Sequence, residues 1–168
     1  WADDHTDRRS TQGYGFTLGS GLISWRSTRS ATVALSSCEA ELYAATMTAQ
    51  QAQWYLYLLE ELGFLLAPAS IKCDNTSVIF LTANPQFHCQ TKHIHMRHFF
   101  IRELVQQGRV VMEKVLSDSN LADIFTKALD RRQHESLTLA CGLVTDSSLK
   151  GRGEKSEVAL GAKGKNVV

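Results

Sequence analysis

The feature that most restricts this chain is an unbroken helical pattern from Ser37 to Leu62. Leu42, Ala45, Ala49, Ala52, Leu56 and Leu59 recur at steps of three and four, with Trp54, Leu58 and Leu62 beside them. A helix of that length reaches roughly 39 Å at about 1.5 Å per residue, so it must cross a whole sheet or bundle and expose its two ends to different surroundings. Ser36 or Ser37 can cap its first amides, Glu39 and Glu41 place carboxylates where the helix dipole favours them, and Gly63 stops it.

The flanking segments say that the helix crosses a sheet. Before it, Tyr14–Leu18 and Leu22–Ser27 are β-formers around a Gly-Ser-Gly turn, which predicts a hairpin. After it, Ser70–Cys73 reads as a buried strand that passes through Asp74-Asn75-Thr76-Ser77 directly into an apolar helix, Val78–Ala83. Asn84-Pro85 ends that helix. Ile94, Arg97/His98, Ile101 and Leu104/Val105 carry another as far as Gly108, Val110–Leu116 alternates as a strand, and Leu121–Leu129 reads as a short helix. The expected order is β-β-α-β-α-α-β-α, an α/β chain. From about Val144 the sequence is rich in Gly, Ser, Lys and Glu without apolar periodicity and reads as a flexible tail.

Composition narrows the class further. With 43% hydrophobic residues among 168, and 18 Lys+Arg against 17 Asp+Glu, disorder and membrane insertion are poor explanations, and one core suffices. The charge is uneven: the last twenty residues carry five cations against two carboxylates, a net of +3, which leaves the rest at −2. The strongly basic surface that announces many nucleic-acid binders is absent. Cys38, Cys73, Cys89 and Cys141 lie 35, 16 and 52 positions apart with no CxxC pair, which favours reduced, mostly buried thiols.

Three acids fall where an α/β sheet gathers side chains at one rim: Glu41 near the start of the long helix, Asp74 at the strand-to-helix switch and Asp123 in the last helix. Brought together, carboxylates repel unless a cation neutralises them, and hard oxygen donors suit Mg2+ or Mn2+. Each also has a plainer reading. Asp74 can be a helix N-cap, Glu41 can simply favour a helix N-terminus, and Asp123 can be a solvated acid. His88, Cys89, His93, His95 and His98 suggest zinc, but there is no paired second half and positions 93, 95 and 98 do not share one helical face.

Five separated motifs occur in one order: Arg8-Arg9-Ser10-Thr11-Gln12-Gly13-Tyr14, Ala34-Leu35-Ser36-Ser37-Cys38-Glu39-Ala40-Glu41, Cys73-Asp74-Asn75, Thr91-Lys92-His93-Ile94 and Leu121-Ala122-Asp123-Ile124-Phe125-Thr126-Lys127. In these the chain resembles the RNase H domain of a copia-type retrotransposon Pol polyprotein, over nearly all of residues 1–143, with 144–168 as a basic tail. The resemblance implies an RNase H-like fold with a mixed five-stranded sheet flanked by helices. It implies hydrolysis of the RNA strand of an RNA–DNA hybrid during reverse transcription by four acids and two Mg2+ (or Mn2+) ions.

Glu41, Asp74 and Asp123 match three of those acids, with Glu39 as the fallback for Glu41. Ser37, Cys38, Asn75, Lys92, His93 and Arg97 are the implied substrate contacts; for Ser37 the alternative is helix capping, and for the cations a solvated helix face. Arg102 is a further phosphate-contact candidate of the same kind. The implied partners are the hybrid and the reverse transcriptase domain of the same polyprotein, with no membrane, in the cytoplasm or in virus-like particles.

The sequence departs from the pattern at its start. The family opens this region with Asp-x-Asp-Trp-Ala, and its first acid lies just upstream of the residue matching Trp1. The expectation is therefore a truncated first strand and impaired metal binding, with Asp3, Asp4 and Asp7 poorly placed to substitute. The loop Ser117-Asp118-Ser119-Asn120 lacks the His that other RNase H enzymes carry before the last acid, which leaves Asp118 as a weak stand-in. Two other readings stay open: a non-catalytic remnant or tether, and an integrase-type nuclease of the same superfamily, disfavoured because its acids run Asp, Asp, Glu.

Overall fold

The computed structural model describes residues 8–83 and 92–143, with side chains except those of 92–96 and 98. Strands β1 (Thr11–Leu18) and β2 (Gly21–Arg29) form an antiparallel hairpin with a bulge between Phe16 and Thr17. Gly19 turns it at φ +66°, a backbone conformation that costs glycine nothing. Helix α1 (Ser37–Glu61) follows, then β3 (Ala69–Cys73), α2 (Thr76–Ala83), α3 (Lys92–Gln106) and β4 (Val110–Lys114). Two 3-10 turns, Ser117–Ser119 and Leu121–Phe125, lead to α4 (Arg131–Ala140). Among the described residues no helix is long and apolar enough to cross a membrane.

The helical pattern expected from Ser37 to Leu62 is α1. Its stripe of Leu42, Ala45, Ala49, Ala52 and Leu56 is buried, and small alanines let the sheet strands lie close. The first half packs with Ile71, Cys73, Val78, Ile101, Leu104 and Val110; the second half packs with Tyr14, Phe16 and Ala69. One helix thus carries two cores. Gly63, at φ +84°, ends it in a left-handed turn whose following Phe64 amide donates back to Leu59 O.

The described strands form two two-stranded sheets, β1–β2 and the parallel pair β3–β4, in place of one mixed sheet of five. The expected Leu121–Leu129 helix is instead the short turn Leu121–Phe125, which lies on β1 at Gly13 and Gly15. A Cβ at Gly13 would stand 2.8 Å from Thr126 Cγ2, and one at Gly15 would stand 3.0 Å from the Phe125 ring. The glycines therefore seat the turn. Helix α4 was not expected: only Leu137 of its ten residues is buried, too thin a stripe to read as a helix, although the Asp130 side chain caps it by accepting from the Arg132 and Gln133 amides.

Candidate active site

Ser36 caps α1, not Ser37: its hydroxyl accepts from the Glu39 amide at 3.1 Å. Glu39 closes the same cap, because its carboxylate accepts from the Leu35 amide (2.7 Å) and the Tyr43 hydroxyl (3.0 Å). The fallback acid is thus already engaged in local structure. Two residues on, Glu41 turns to another face of the helix and lines a cleft with β1 and β3.

Asp74 follows the last residue of β3, where a parallel strand delivers side chains to its carboxyl end. The capping role belongs to its neighbour: Asn75 Oδ1 accepts from the Ser77 amide (3.0 Å) and the Val78 amide (3.2 Å). Asp74 is thereby freed from the plainer reading, while Asn75, an expected substrate contact, has its oxygen committed to α2. Lys114 donates to the Asp74 carbonyl and ties the ends of β3 and β4 together.

Ligand atoms of Glu41, Cys73 and Asp74 all lie within 4.8 Å of one another. Asp123 joins this group electrostatically from the Leu121–Phe125 turn. It is 5% exposed, and both its carboxylate oxygens stand 2.9 Å from Lys127 Nζ. Burial raises the Glu41 pKa first, Asp74 raises it further, Lys127 lowers it and Asp123 raises it again. Burial lowers the Lys127 pKa, but its hydrogen bond to Asp123 and the charges of Asp123, Asp74 and Glu41 more than offset this and hold it above the usual lysine value. Burial pushes the Cys73 thiol up to about 11, so at neutral pH it is a neutral neighbour.

Glu41, Cys73 and Asp74 each offer a ligand atom to one common spot, and the Asp123 carboxylate beside them is already engaged by the Lys127 ammonium. Lys127 carries no role in the sequence reading; its place four residues after Asp123 is the signal that the two side chains pair. Cys73 was likewise read only as a buried thiol. It is buried, as is Cys141, and Cys38 is half-buried against the first core.

The expected substrate contacts divide. Ser37 is exposed at the start of α1, one residue after the cap, and Cys38 beside it packs inward. Arg97 does not join the carboxylates. Its guanidinium stacks 3.7 Å over the Tyr43 ring and lines a separate cavity with Gln12 and Thr46, on another face of α1 from Glu41. Arg102 stacks over Phe99 at 4.6 Å. The side chains of Lys92 and His93, the His88-to-His98 group, Asp3, Asp4, Asp7 and the tail from 144 lie outside the described residues. Asp118 is exposed in its 3-10 turn.

An α/β chain in which Glu41 and Asp74 meet at the carboxyl end of β3, with Asp123 in electrostatic reach, is the class that fold and site define. The chain is 40% identical over 134 residues, 80% of its length, to the retrovirus-related Pol polyprotein from transposon TNT 1-94 of Nicotiana tabacum. It is also 40% identical, over 86% and 85% of its length, to the Pol polyproteins from transposons RE2 and RE1 of Arabidopsis thaliana. Its homologues at this level are thus retrotransposon Pol polyproteins, and the chain spans 10% of the length of each of these three. No family model matches the chain, and no solved structure matches it.

Proposed function

We propose that this chain is the ribonuclease H part of a copia-type Pol polyprotein, with an RNase H-like fold, cutting the RNA strand of RNA–DNA hybrids beside the reverse transcriptase part of the same polyprotein. The observation that carries the reading is the meeting of Glu41 and Asp74, with Asp123 in electrostatic reach, at the carboxyl end of β3.

Glu41, Asp74 and Asp123 would hold Mg2+ or Mn2+, which when bound would activate water and stabilise the charge developing at the phosphate. The chain's own part is positioning. The Ser36–Glu39 cap fixes the first turn of α1 and hence Glu41, Asn75 fixes the start of α2 behind Asp74, and Gly13 and Gly15 let the turn bearing Asp123 approach. Lys127 offsets part of the carboxylate charge until a cation does so. Ser37, exposed one helical turn before Glu41, would face the minor groove of the hybrid, where the 2′-hydroxyl separates RNA from DNA, while Cys38 is turned to the core.

The test is Mg2+-dependent cleavage of a labelled RNA–DNA hybrid by a form extended upstream through the Asp-x-Asp-Trp-Ala motif. The extended form should cut the RNA strand and leave 3′-hydroxyl ends. Failure of the extended form to cut at any Mg2+ or Mn2+ concentration would overturn the reading.

A further inference from the structure

Cys73 ends β3 on the same face as Ile71, and both belong to one core with Leu42 and Ala45 of α1. The thiol is thereby delivered beside Glu41, the residue before Leu42, and Asp74 follows it in the chain. Its sulfur and one carboxylate oxygen from each acid lie within 4.8 Å of one another. Among the described residues no other three metal-capable side chains come together in this way, and Cys38 and Cys141 belong to no such group. The convergence on Cys73 is thus not a general consequence of burying thiols in this core.

The donor set decides the kind of ion. The Asp123 carboxylate is engaged by Lys127, both of its oxygens standing 2.9 Å from Nζ, and the remaining donors are two carboxylates and one thiol. Mg2+ demands near-octahedral oxygen coordination, to which a sulfur contributes nothing. Zn2+ accepts carboxylate oxygen and thiolate together, and in its open sites it takes three protein ligands with water in the fourth tetrahedral position. Donors around such an ion stand about 3.5 Å apart, so the 4.8 Å limit here leaves a gap of about 1 Å that side-chain rotation of two acids can close. The Asn75 amide donates to the Cys73 sulfur at 3.4 Å, an outer contact of the kind that orients a ligand atom.

We propose that Glu41, Cys73 and Asp74 form a mixed oxygen–sulfur site for a thiophilic divalent cation, Zn2+ in particular, which excludes Mg2+ from the same two carboxylates. As the metal–sulfur bond forms, the thiol proton leaves to solvent and the sulfur supplies the bonding pair, with no change of oxidation state. The consequence for activity rests on the ribonuclease reading: there the soft ion is an inhibitor that holds the site against Mg2+. The binding itself is tested without cleavage.

Cd2+ is the probe, because its bond to thiolate gives an ultraviolet charge-transfer band that carboxylates and imidazoles do not give. The full 168-residue chain is titrated with Cys89→Ser in place, which removes the thiol of the His-rich stretch. The band should grow and saturate, and excess Mg2+ should move the titration to higher Cd2+. Cys73→Ser should remove the band, and Glu41→Gln, which keeps the thiol, should weaken Cd2+ binding by more than about tenfold. Circular dichroism checks the fold of both variants. Without either substitution, Cd2+ should slow alkylation of Cys73, read by peptide mass, and leave that of Cys38 unchanged.

No band at millimolar Cd2+, a band that survives Cys73→Ser, binding unmoved by Glu41→Gln or indifference to Mg2+ would each overturn the proposal. If Cys73→Ser unfolds the chain, alkylation of Cys73 that Cd2+ fails to slow would do so instead. In the upstream-extended form, Cd2+ should inhibit hybrid cleavage. The band without any cleavage by that form would count against the ribonuclease reading and leave the metal site standing, and cleavage without the band would do the reverse.

Discussion

Glu41 and Glu60 lie near opposite ends of helix α1, under different electrostatics. Glu60 pairs with Arg109, whose hydrogen bond lowers its pKa, and the pair lies in the open at the helix end among exposed Trp54, Tyr57 and Leu62. Glu41 is half-buried, and burial together with Asp74 raises its pKa, with Lys127 opposing from the Asp123 side. One carboxylate is neutralised by the chain itself; the other is only partly so. A folded chain tolerates such a residual imbalance where something from outside completes the site, which is why perturbed acids in clefts point to function.

The contrast is sharpest in activity. In the upstream-extended form, Asp74→Asn should lower hybrid cleavage by more than about 100-fold, above the 10–100-fold range typical of residues that only support a metal ligand. The melting temperature should not fall, because α2 is capped by Asn75. An equivalent change at the far end, Glu60→Gln, should leave the cleavage rate unchanged. Comparable losses from both would erase the distinction between the two ends.

Packing gives the next effect. Leu42 is 2% exposed in the first core, so Leu42→Ala should cost about 2–5 kcal/mol in urea unfolding. Tyr57→Ala, at 57% exposed, should stay within about 0.5 kcal/mol. A large loss at Tyr57 would show that the apolar end of α1 is covered in solution.

Much of this was legible in the sequence where the cause is local. The α1 stripe, a cap at Ser36 or Ser37 and the Gly63 stop need only near neighbours in the chain, and α1 ends within one residue of the expected position. The nearness of Glu41 and Asp74 follows from a helix start and a strand end that share one rim. What was not legible depends on distant partners. The run Leu121–Leu129 has helical spacing, yet Gly13 and Gly15, more than a hundred positions earlier, give the turn a platform that fixes it as 3-10. The separation into two sheets, and the cleft between them, follow from pairings that no local pattern encodes. Arg97 sits on a helix of the expected kind, but whether its helix face turned toward Glu41 or toward Tyr43 depended on how α3 packs on α1.

A smaller effect separates the two neighbours at the β3–α2 junction. Asn75→Ala removes the acceptor for two α2 amides and should cost about 1 kcal/mol. Asn75→Asp keeps an acceptor and should restore most of that stability. If Asn75→Asp is as unstable as Asn75→Ala, the cap is not the reason for the residue.

The smallest expected effect is the one that tests the imbalance at Glu41 directly. Because its pKa is raised in the folded chain above the ordinary 4.5, the folded state holds that proton more tightly than the unfolded state does. Its contribution to stability is therefore fully present below about pH 4.5 and is lost as the pH rises through the raised value, above which the charged side chain opposes folding. Glu41→Gln should raise the melting temperature at pH 7.5, and the gain should shrink towards pH 4. Adding Mg2+ at pH 7.5 should narrow the gap from the other side, by stabilising the parent more than the variant. A gain of the same size at both pH values would mean that packing of the amide, and not relief of a buried charge among Asp74 and Asp123, accounts for it.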